Sequence, residues 1–456
     1  MERRYQSLTD EYQNTNAQRT ETTQPSLSVD ELKRTLTTND KGKVSNTIQN
    51  CLSVFEQDPL FKGAICRNVL TGRVDIVKPI GWHRDSAVLT DTDMNYIQLY
   101  LEKNYGLFAE NKILSAVQIV ANENKYHPIC EYLNSLQWDG TERIGNTLHH
   151  FLGADVNAYT YEVMKLFLLG AVNRVFSPGC KFETMLCLVG GQGAGKSTFF
   201  RFLAIKDEWF SDDLRRLEDD NVFRKLQGHW IIEMSEMLAT GNAKCIEEIK
   251  AFLSKQKDNY KVPYEVHPQD RARQCVFGGT SNTLDFLPLD RTGNRRFLPV
   301  MVYPERAECH ILDDEEQSRE YINQLWAEAM TIYRSNNYKL TLSHDMQKQL
   351  TVLQQNFMPE DTKVGVIQSY LDNFNGNIVC SKQLYSEALK HNYDEPKQWE
   401  IREINDIMNN SIVGWAAFHN PRYFTNYGRQ KGWERITETS QQEEQLSITD
   451  EPFPFD

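Results

Sequence analysis

The sequence predicts an α/β protein built around a parallel β-sheet, and three observations support this fold class. The chain has 456 residues, of which 40% are hydrophobic and 25% charged, so it is long enough for about three domains with buried cores. Between Met185 and about Val302, short apolar runs of strand length alternate with helical patterns, as in doubly wound sheets. One of these runs, residues 185–189, leads through a glycine-rich loop into a helical pattern.

The N-terminal segment, residues 1–48, is predicted to be disordered. It is rich in Thr, Gln, Asn, Ser and charged residues, and such a composition cannot bury enough apolar surface to offset the entropy of ordering. A short helix near residues 28–36 is the exception, because Ser28 and Glu31 have the spacing of a capping box.

Residues 49–145 predict a small α+β domain. Two strand-like stretches lie on either side of Thr71-Gly72, a turn sequence. Residues 93–105 and 113–124 carry apolar side chains at helical spacing.

Residues 146–356 predict a helical lead-in followed by the core that contains the sheet, with helical patterns over 146–176 and 321–356. Residues 362–435 predict a separate domain of three helices and a β-ribbon, the order of a winged helix. Residues 436–456 contain six acidic residues and no basic one, so we expect a disordered tail that carries nearly half of the net charge of −13.

Composition also bears on location. No apolar run approaches the roughly 18–20 residues of a membrane-spanning helix, and the N-terminus has no apolar signal region. The nine cysteines contain no C-x-x-C pair and no zinc spacing. We therefore expect a cytoplasmic protein with reduced thiols and no membrane partner.

The glycine-rich loop is the strongest functional signal. It matches G-x-x-x-x-G-K-[ST], in which backbone N–H groups at a helix N-terminus surround phosphates. The motif predicts that Lys196 reaches the β- and γ-phosphates of ATP and that the Ser197 hydroxyl ligates Mg²⁺. The predicted nucleotide-binding residues are Gly190, Gly191, Gln192, Gly193, Ala194, Gly195, Lys196, Ser197 and Thr198.

Two carboxylates follow an apolar run at residues 229–236. Nucleotide hydrolysis requires one acidic residue to position Mg²⁺ and another to activate water, and Glu233 and Glu236 are the candidates. We assign Glu233 to the metal. Glu236 lies at the carboxyl end of the predicted strand, where ligands bind in open α/β sheets, so it is the better candidate for water activation.

Three more polar residues complete the predicted catalytic set. Asn282 ends a third apolar strand and could hold the attacking water or contact the γ-phosphate. Arg295 and Arg296 are adjacent in a turn, and a guanidinium is suited to neutralise charge on phosphoryl oxygens.

The order of these segments resembles the virulence-associated protein E family, which belongs to the superfamily 3-like helicases of phages and mobile elements. The resemblance covers roughly residues 60–320 and includes the lead-in segments 126–144 and 171–186. The motifs that carry it are GGQGAGKST (190–198), WFSDDL (209–214), HWIIEMSEM (229–237), EEIKAFLSKQKDNYKVPY (247–264), FGGTSN (277–282) and DRTGNRRFLPV (290–300).

The resemblance implies an AAA+-like P-loop ATPase core, hexamer formation and 3′-to-5′ DNA unwinding. It also implies that Arg295 or Arg296 completes the site of a neighbouring subunit. Many members carry a primase domain ahead of this region, but residues 1–60 are too short and polar for one.

Residues 255–273 predict a β-hairpin between the second and third core strands, with five basic residues against three acidic ones. In superfamily 3 helicases the equivalent insertion grips one DNA strand in the central channel, a contact that needs only positioned cations. A solvated hairpin of mixed charge remains the alternative. The predicted DNA-binding residues are Lys255, Lys257, Lys261, His267, Arg271 and Arg273.

Two C-terminal features leave alternatives open. The ribbon at 415–435 mixes basic and aromatic residues, which suits either nucleic-acid contact or docking of another protein. The tail ends in Pro454-Phe455-Asp456 and could recruit other replication proteins, occupy the basic channel or only aid solubility.

The sequence therefore predicts an ATP- and Mg²⁺-dependent replicative DNA helicase of a phage or mobile element. It would act as a homo-oligomeric ring, a hexamer by the resemblance, on single-stranded or forked DNA. A nucleotide-switched, origin-binding initiator with little unwinding and a protein-remodelling ATPase are the alternatives.

Overall fold

The computed structural model describes residues 27–214, 222–235, 243–260, 269–287, 294–391 and 394–436. The chain divides into two compact units. The first contains residues up to 286 together with 295–357, and the second contains 287–294 together with the chain from 358 onward. Within the described residues, every helix is too short or too polar to cross a membrane.

The N-terminal part of the first unit packs helices against a small sheet. Strands β1 (Ile65–Asn68) and β2 (Val74–Ile76) are antiparallel, and β3 (Lys125–Tyr126) pairs with β1 in parallel. The helices of this part are Val29–Thr35, Ile48–Gln57, Asp91–Tyr105 and Glu110–Glu123. Their apolar faces share one buried core, in which Asp58 accepts hydrogen bonds from Tyr100 and Tyr105.

Helices lead from this region into the central sheet. Pro128–Ser135, Thr147–Leu152 and Ala158–Phe176 precede it, and the last of these is buried along most of its length. The strands that follow are β4 (Met185–Val189), β5 (Phe210–Ser211), β6 (Ile231–Ser235), β7 (Lys257–Tyr260), β8 (Gln269–Ala272), β9 (Val276–Ser281) and β10 (Phe297–Met301). The remaining helices are Lys196–Leu203, Val222–Leu226, Ala243–Leu253, Glu315–Ser335 and His344–Gln355, with single 3₁₀ turns at Asp207–Trp209, Asn294–Arg296 and Pro304–Arg306.

Five of these strands form a parallel sheet in the order β10-β4-β9-β6-β5. Strand β4 lies between β9 and β10, so the connections that leave β4 go to opposite sides of it. In open α/β sheets, such a change of direction leaves a crevice at the carboxyl end of the strand. The strands are buried on both faces, as parallel sheets require. Gly278 allows close packing, because a Cβ there would lie 2.4 Å from the Phe200 ring.

The second unit contains helices and a three-stranded antiparallel sheet. Its helices are Thr362–Asp372, Ser381–Gln383, which continues as the π-helical turn Leu384–Ala388, and Gln398–Asn410. Its strands are β11 (Ile378–Cys380), β12 (Trp415–Phe424) and β13 (Gly428–Arg435), in the order β11-β13-β12. Trp433 and Ile407 belong to its own hydrophobic core.

The predicted mixed α/β fold with a parallel sheet is confirmed. The capping box at Ser28 and Glu31 is also confirmed, and so is the turn at Gly72, where φ is 71°. The AAA+ assignment, the winged-helix assignment and the domain boundaries stay predictions. The sequence predicts disorder for residues 1–48, but residues 27–48 contain the helix Val29–Thr35 and a bridge between Thr38 and Val44, with Leu32 and Leu36 buried. Residues 1–26 and the acidic tail lie outside the described residues.

Buried His127 makes the stability of the first unit depend on pH. Its Nδ1 accepts from the backbone N–H of Cys130 and caps the helix that follows, while its Nε2 lies 2.8 Å from Gln274 Oε1. Burial lowers the pKa of His127 from 6.5 to about 4. The fold therefore favours neutral His127, and its contribution is present above about pH 6.5 and is lost as the pH falls towards 4.

We predict that His127→Asn, which keeps a capping side chain, flattens the fall in unfolding free energy between pH 7 and 4.5 by about 2–3 kcal/mol. Urea titrations at several pH values measure this slope. His83→Asn is the control, because the His83 side chain is 90% exposed. An unchanged slope in His127→Asn would contradict the prediction.

Candidate nucleotide site and hairpin

The glycine-rich loop connects β4 to the helix Lys196–Leu203 at the carboxyl edge of the sheet. The Gly190 N–H donates to the carbonyl oxygen of Ser281 at 3.1 Å, and a Cβ on Gly190 would lie 2.6 Å from Val302. Gly193 and Gly195 have φ values of 81° and 75°, which side-chain-bearing residues rarely adopt. The loop therefore requires glycine for both packing and backbone conformation.

Lys196 lies buried at the inner side of this loop. Its ammonium group donates to the carbonyl oxygens of Gly190 and Gly191 at 2.7 Å each and to Asn282 Oδ1 at 3.0 Å. Burial lowers the pKa of Lys196, whereas the negative charge of Glu233 acts in the opposite direction. The predicted residues Lys196 and Asn282 are thus brought into direct contact.

A second hydrogen-bonded group lies beside the lysine. Ser197 and Thr280 both donate their hydroxyl hydrogens to Glu233 Oε1, at 2.7 and 2.6 Å. The strand order and register bring these side chains together. Strand β9 lies between β4 and β6, and its Thr280 pairs with Ser235 at the end of β6. Thr280 was not among the predicted site residues, although its position in the polar end of the third strand is a usable signal.

The second carboxylate oxygen of Glu233, Oε2, differs from the first. It is buried, and within the described residues no hydrogen bond reaches it. Burial raises the pKa of Glu233, an effect that the Thr280 and Ser197 hydrogen bonds oppose. A carboxylate and a hydroxyl are oxygen ligands of the kind Mg²⁺ uses together with substrate phosphates and water. The residues present therefore fit a magnesium–nucleotide site.

A cavity of about 590 Å³, within the usual range for ligand pockets, opens over Lys196, Ser197 and Thr280. Two of its lining residues, His310 and Leu312, belong to no sequence motif described above. The other lining residues are Gln192, Gly193, Ala194, Gly195, Lys196, Ser197, Thr198, Ser235, Thr280, Ser281, Asn282 and Thr283. Glu236, the predicted water-activating residue, lies outside the described residues.

The two predicted arginines have different surroundings. Arg296 is partly buried, donates its Nε–H to Ser254 at 3.0 Å and lies 3.7 Å from Glu183. The Arg295 side chain is 70% exposed and lies 3.6 Å from the other oxygen of Glu183. Neither arginine is among the described residues that line the cavity.

A hairpin lies within the predicted range 255–273, since β7 and β8 pair antiparallel from Lys257–Ala272 to Tyr260–Gln269. Lys255 and Lys257 are exposed, and Lys257 forms an ion pair with Asp270 on the opposite arm. Lys261 and His267, which follow β7 and precede β8 in the sequence, lie outside the described residues.

Two hairpin arginines point towards the protein. Arg271 is half-buried, with its guanidinium beside Gly72. Arg273 is buried and donates to both carboxylate oxygens of Asp258, at 2.7 and 3.0 Å, and to the carbonyl oxygen of Phe252. Its guanidinium also stacks on the Phe252 ring at 4.3 Å. The charge of Arg273 is thus satisfied inside the protein, which argues against the predicted DNA contact of this residue.

Comparison with known protein families gives a match over the part of the chain that contains the candidate site. Residues 133–359 match the Virulence-associated protein E-like domain family, a segment that contains the loop, the parallel sheet and the hairpin. No curated protein matches the sequence.

Solved structures are similar at a lower level. The apo structure of the NrS-1 C-terminal region (305–718) has a TM-score of 0.44 and 13% identity, covering 82% of this chain and 96% of that one. The A form apo structure of the same region also has a TM-score of 0.44, with 12% identity and the same coverage.

We predict that Asp258→Asn lowers the unfolding free energy by about 3–5 kcal/mol, because it leaves the buried Arg273 charge unpaired. Lys257→Ala is the matched control, since it breaks an exposed pair on the same arm and should cost at most about 1 kcal/mol. Urea unfolding of both variants measures the difference. Equal losses in the two variants would show that the Arg273 pair does not hold the hairpin base.

Proposed function

We propose that this protein is a Mg²⁺- and ATP-dependent DNA helicase that acts in replication of a phage or other mobile element. It would hydrolyse ATP at the carboxyl edge of the parallel sheet and translocate on single-stranded DNA as a homo-oligomeric ring. The match to the Virulence-associated protein E-like domain supports the mobile-element context.

One observation carries the proposal: Ser197 and Thr280 fix one oxygen of buried Glu233, and its other oxygen has no described partner. A buried carboxylate with an unsatisfied oxygen is costly unless a cation or a donor completes it. Since this group lies at the start of the glycine-loop helix, phosphate and cation would meet there.

Each residue has a role that its contacts suggest. Mg²⁺ would neutralise charge on the phosphate oxygens, and Ser197 with Glu233 would hold it. Lys196 would exchange its loop carbonyl partners for phosphate oxygens, while Asn282 keeps its ammonium group oriented. The backbone N–H groups of residues 191–196 would orient the phosphates.

A DNA-binding role rests on the exposed part of the hairpin. Lys255 and Lys257 remain candidates for phosphate contact, together with Lys261 and His267. The inward position of Arg273 and the Lys257–Asp270 pair reduce the free positive charge of the described arms. This observation favours the nucleotide-switched initiator as the second candidate, because a switch needs less strand grip than a motor.

The rate of ATP hydrolysis, with and without single-stranded DNA, tests the proposal. We expect hydrolysis that requires Mg²⁺ and that single-stranded DNA stimulates. Lys196→Ala should abolish it without unfolding the chain, because the lysine contacts loop carbonyls and Asn282 rather than the core.

Lys165→Ala is the matched control, because Lys165 pairs with Glu162 on a helix outside the cavity. Hydrolysis that DNA does not stimulate would support the switch over the motor. Hydrolysis that survives in Lys196→Ala would refute the assignment of the site.

We further predict that Arg295, the exposed member of the pair, acts on the site of a neighbouring subunit. Loss of such an arginine costs about 10³–10⁵ in rate. In a ring with head-to-tail interfaces, an equal mixture of Lys196→Ala and Arg295→Ala chains regenerates about a quarter of the sites. Hydrolysis should therefore reappear on mixing.

Arg296→Ala is the comparison, because Arg296 is held by Ser254 and Glu183 within its own chain. Mixing Arg296→Ala chains with Lys196→Ala chains should therefore not restore ATP hydrolysis. A mixture with Arg295→Ala chains that stays inactive would contradict the role of Arg295 in a neighbouring site.

A further inference from the structure

A second cleft, of about 200 Å³, lies next to the proposed nucleotide cavity. His150, Cys309 and Tyr321 line it, and His310 lines both this cleft and the nucleotide cavity. None of the roles proposed above uses Cys309 or His150.

Two of these side chains, Cys309 and His150, form a hydrogen-bonded relay with Glu308. Cys309 Sγ lies 3.3 Å from His150 Nε2, and His150 Nδ1 lies 2.5 Å from Glu308 Oε2. The His150 ring is stacked on Tyr321 with a centroid separation of 4.6 Å and an interplanar angle of 5°. A thiol, an imidazole and a carboxylate in this order are the arrangement in which a base activates a nucleophile.

The carboxylate decides the tautomer of the imidazole. The hydrogen bonds from His150 and Asn146 lower the pKa of Glu308, so this group is ionised at neutral pH and can only accept. His150 Nδ1 must then carry the proton, which leaves Nε2 free to accept the thiol proton of Cys309.

Cys309 itself rests as a thiol. Burial raises the pKa of Cys309, and the carboxylates of Asp313 and Glu308 raise it further. Its reactivity therefore depends on removal of the proton by His150 during attack rather than on a standing thiolate.

The backbone holds the two halves of the relay together. The N–H groups of Glu308 and Cys309 both donate to the carbonyl oxygen of His150, at 3.1 and 3.2 Å. Gly153 has a φ of 66° and allows close approach, because a Cβ there would lie 2.0 Å from the carbonyl oxygen of Tyr303. The helix Thr147–Leu152 and the segment that carries Cys309 are therefore fixed against each other.

We propose that Cys309 is an oxidant-reactive thiol whose modification controls the neighbouring nucleotide cavity. Cys309 Sγ attacks one oxygen of hydrogen peroxide, so an S–O bond forms and the O–O bond breaks. The thiol proton passes through His150 Nε2 to the departing hydroxide, which leaves as water. Sulfur loses two electrons to the peroxide and becomes a sulfenic acid, which a thiol reductant restores.

The effect on the cavity rests on the proposed function. Cys309 is bonded to His310, whose ring would lie 3.6 Å from a Cβ on Gly195 in the glycine-rich loop. An added polar oxygen on Cys309 must be accommodated in a small cleft that shares the His310 side chain with the cavity. Oxidation should therefore move His310 and weaken nucleotide binding.

The rate of sulfenic acid formation at each cysteine tests the reactivity. The full-length protein is exposed to hydrogen peroxide, sulfenic acid is trapped with a 1,3-dione, and the labelled peptides are measured by mass spectrometry. We expect Cys309 to react at least about tenfold faster than Cys180, because base catalysis contributes about 10²–10⁴. Cys180 is the matched control, since it is also half-buried and its electrostatic partner is Arg174 rather than a histidine.

Two variants test whether His150 and Glu308, rather than the solvent exposure of the thiol, set the rate of Cys309 oxidation. His150→Asn keeps a polar side chain but removes the base, and Glu308→Gln, at a half-exposed position, keeps hydrogen bonding but removes the charge. Both should slow oxidation of Cys309 without changing that of Cys180. Equal rates at Cys309 and Cys180, or a Cys309 rate unchanged in both variants, would overturn the proposal.

Nucleotide binding before and after oxidation tests whether Cys309 modification affects the nucleotide cavity. A fluorescent ATP analogue should bind the oxidised protein several-fold more weakly, the reductant should restore binding, and Cys309→Ser should be insensitive to peroxide. Unchanged affinity in a chain shown to be oxidised at Cys309 would overturn the coupling. A chain that binds no nucleotide when reduced would refute the proposed function and the coupling with it, while the labelling rates would still decide whether the relay is reactive.

Discussion

Burial of the Glu233 carboxylate at the edge of the parallel sheet is the constraint on which the candidate site depends. A carboxylate removed from water needs hydrogen bonds or a cation on each oxygen. Ser197 and Thr280 satisfy one oxygen; Thr280 lies on β9, the strand beside the one that carries Glu233, and Ser197 lies on the helix that follows β4. The strand order thus brings the Ser197 and Thr280 hydroxyls to the buried carboxylate and leaves its other oxygen without a described hydrogen bond.

The opposite, amino edge of the sheet connects the arginines to the hairpin, because Glu183 precedes β4 and Arg296 precedes β10. Ser254, just after the helix Ala243–Leu253, contacts both Arg296 and Glu183. The next residues along the chain begin the hairpin, whose base is held by the Arg273–Asp258 pair. Arg296 and the hairpin are therefore joined by a short, hydrogen-bonded connection.

Local patterns in the sequence predicted the features that depend on neighbouring residues. The strand, glycine-rich loop and helix around Lys196 follow from apolar runs and the phosphate motif, and the hairpin arms follow from a short run between turns. The short strand β11 was missed, because three residues carry too little periodicity. One of the three helices predicted within residues 362–435 contains the π-helical turn Leu384–Ala388, which residue spacing does not reveal.

Contacts between distant residues were beyond sequence reasoning. Counting charges made Arg273 a DNA ligand and Asp258 an opposing acid, whereas the two neutralise each other inside the protein. The meeting of His150 with Cys309 joins residues separated by 159 positions, so no motif could mark it. Thr280 was visible as a polar strand end, but only the register shows which carboxylate it contacts.

The Mg²⁺ dependence of ATP binding to Glu233→Gln tests the central claim most directly. Glutamine keeps an oxygen that can accept from Ser197 and Thr280 but removes the negative charge that a cation requires. In the unaltered protein, Mg²⁺ should tighten binding of a non-hydrolysable ATP analogue by about tenfold or more, equivalent to at least about 1.4 kcal/mol. The account predicts that this gain disappears in Glu233→Gln while Mg²⁺-independent binding persists. An equal gain from Mg²⁺ in both proteins would contradict it.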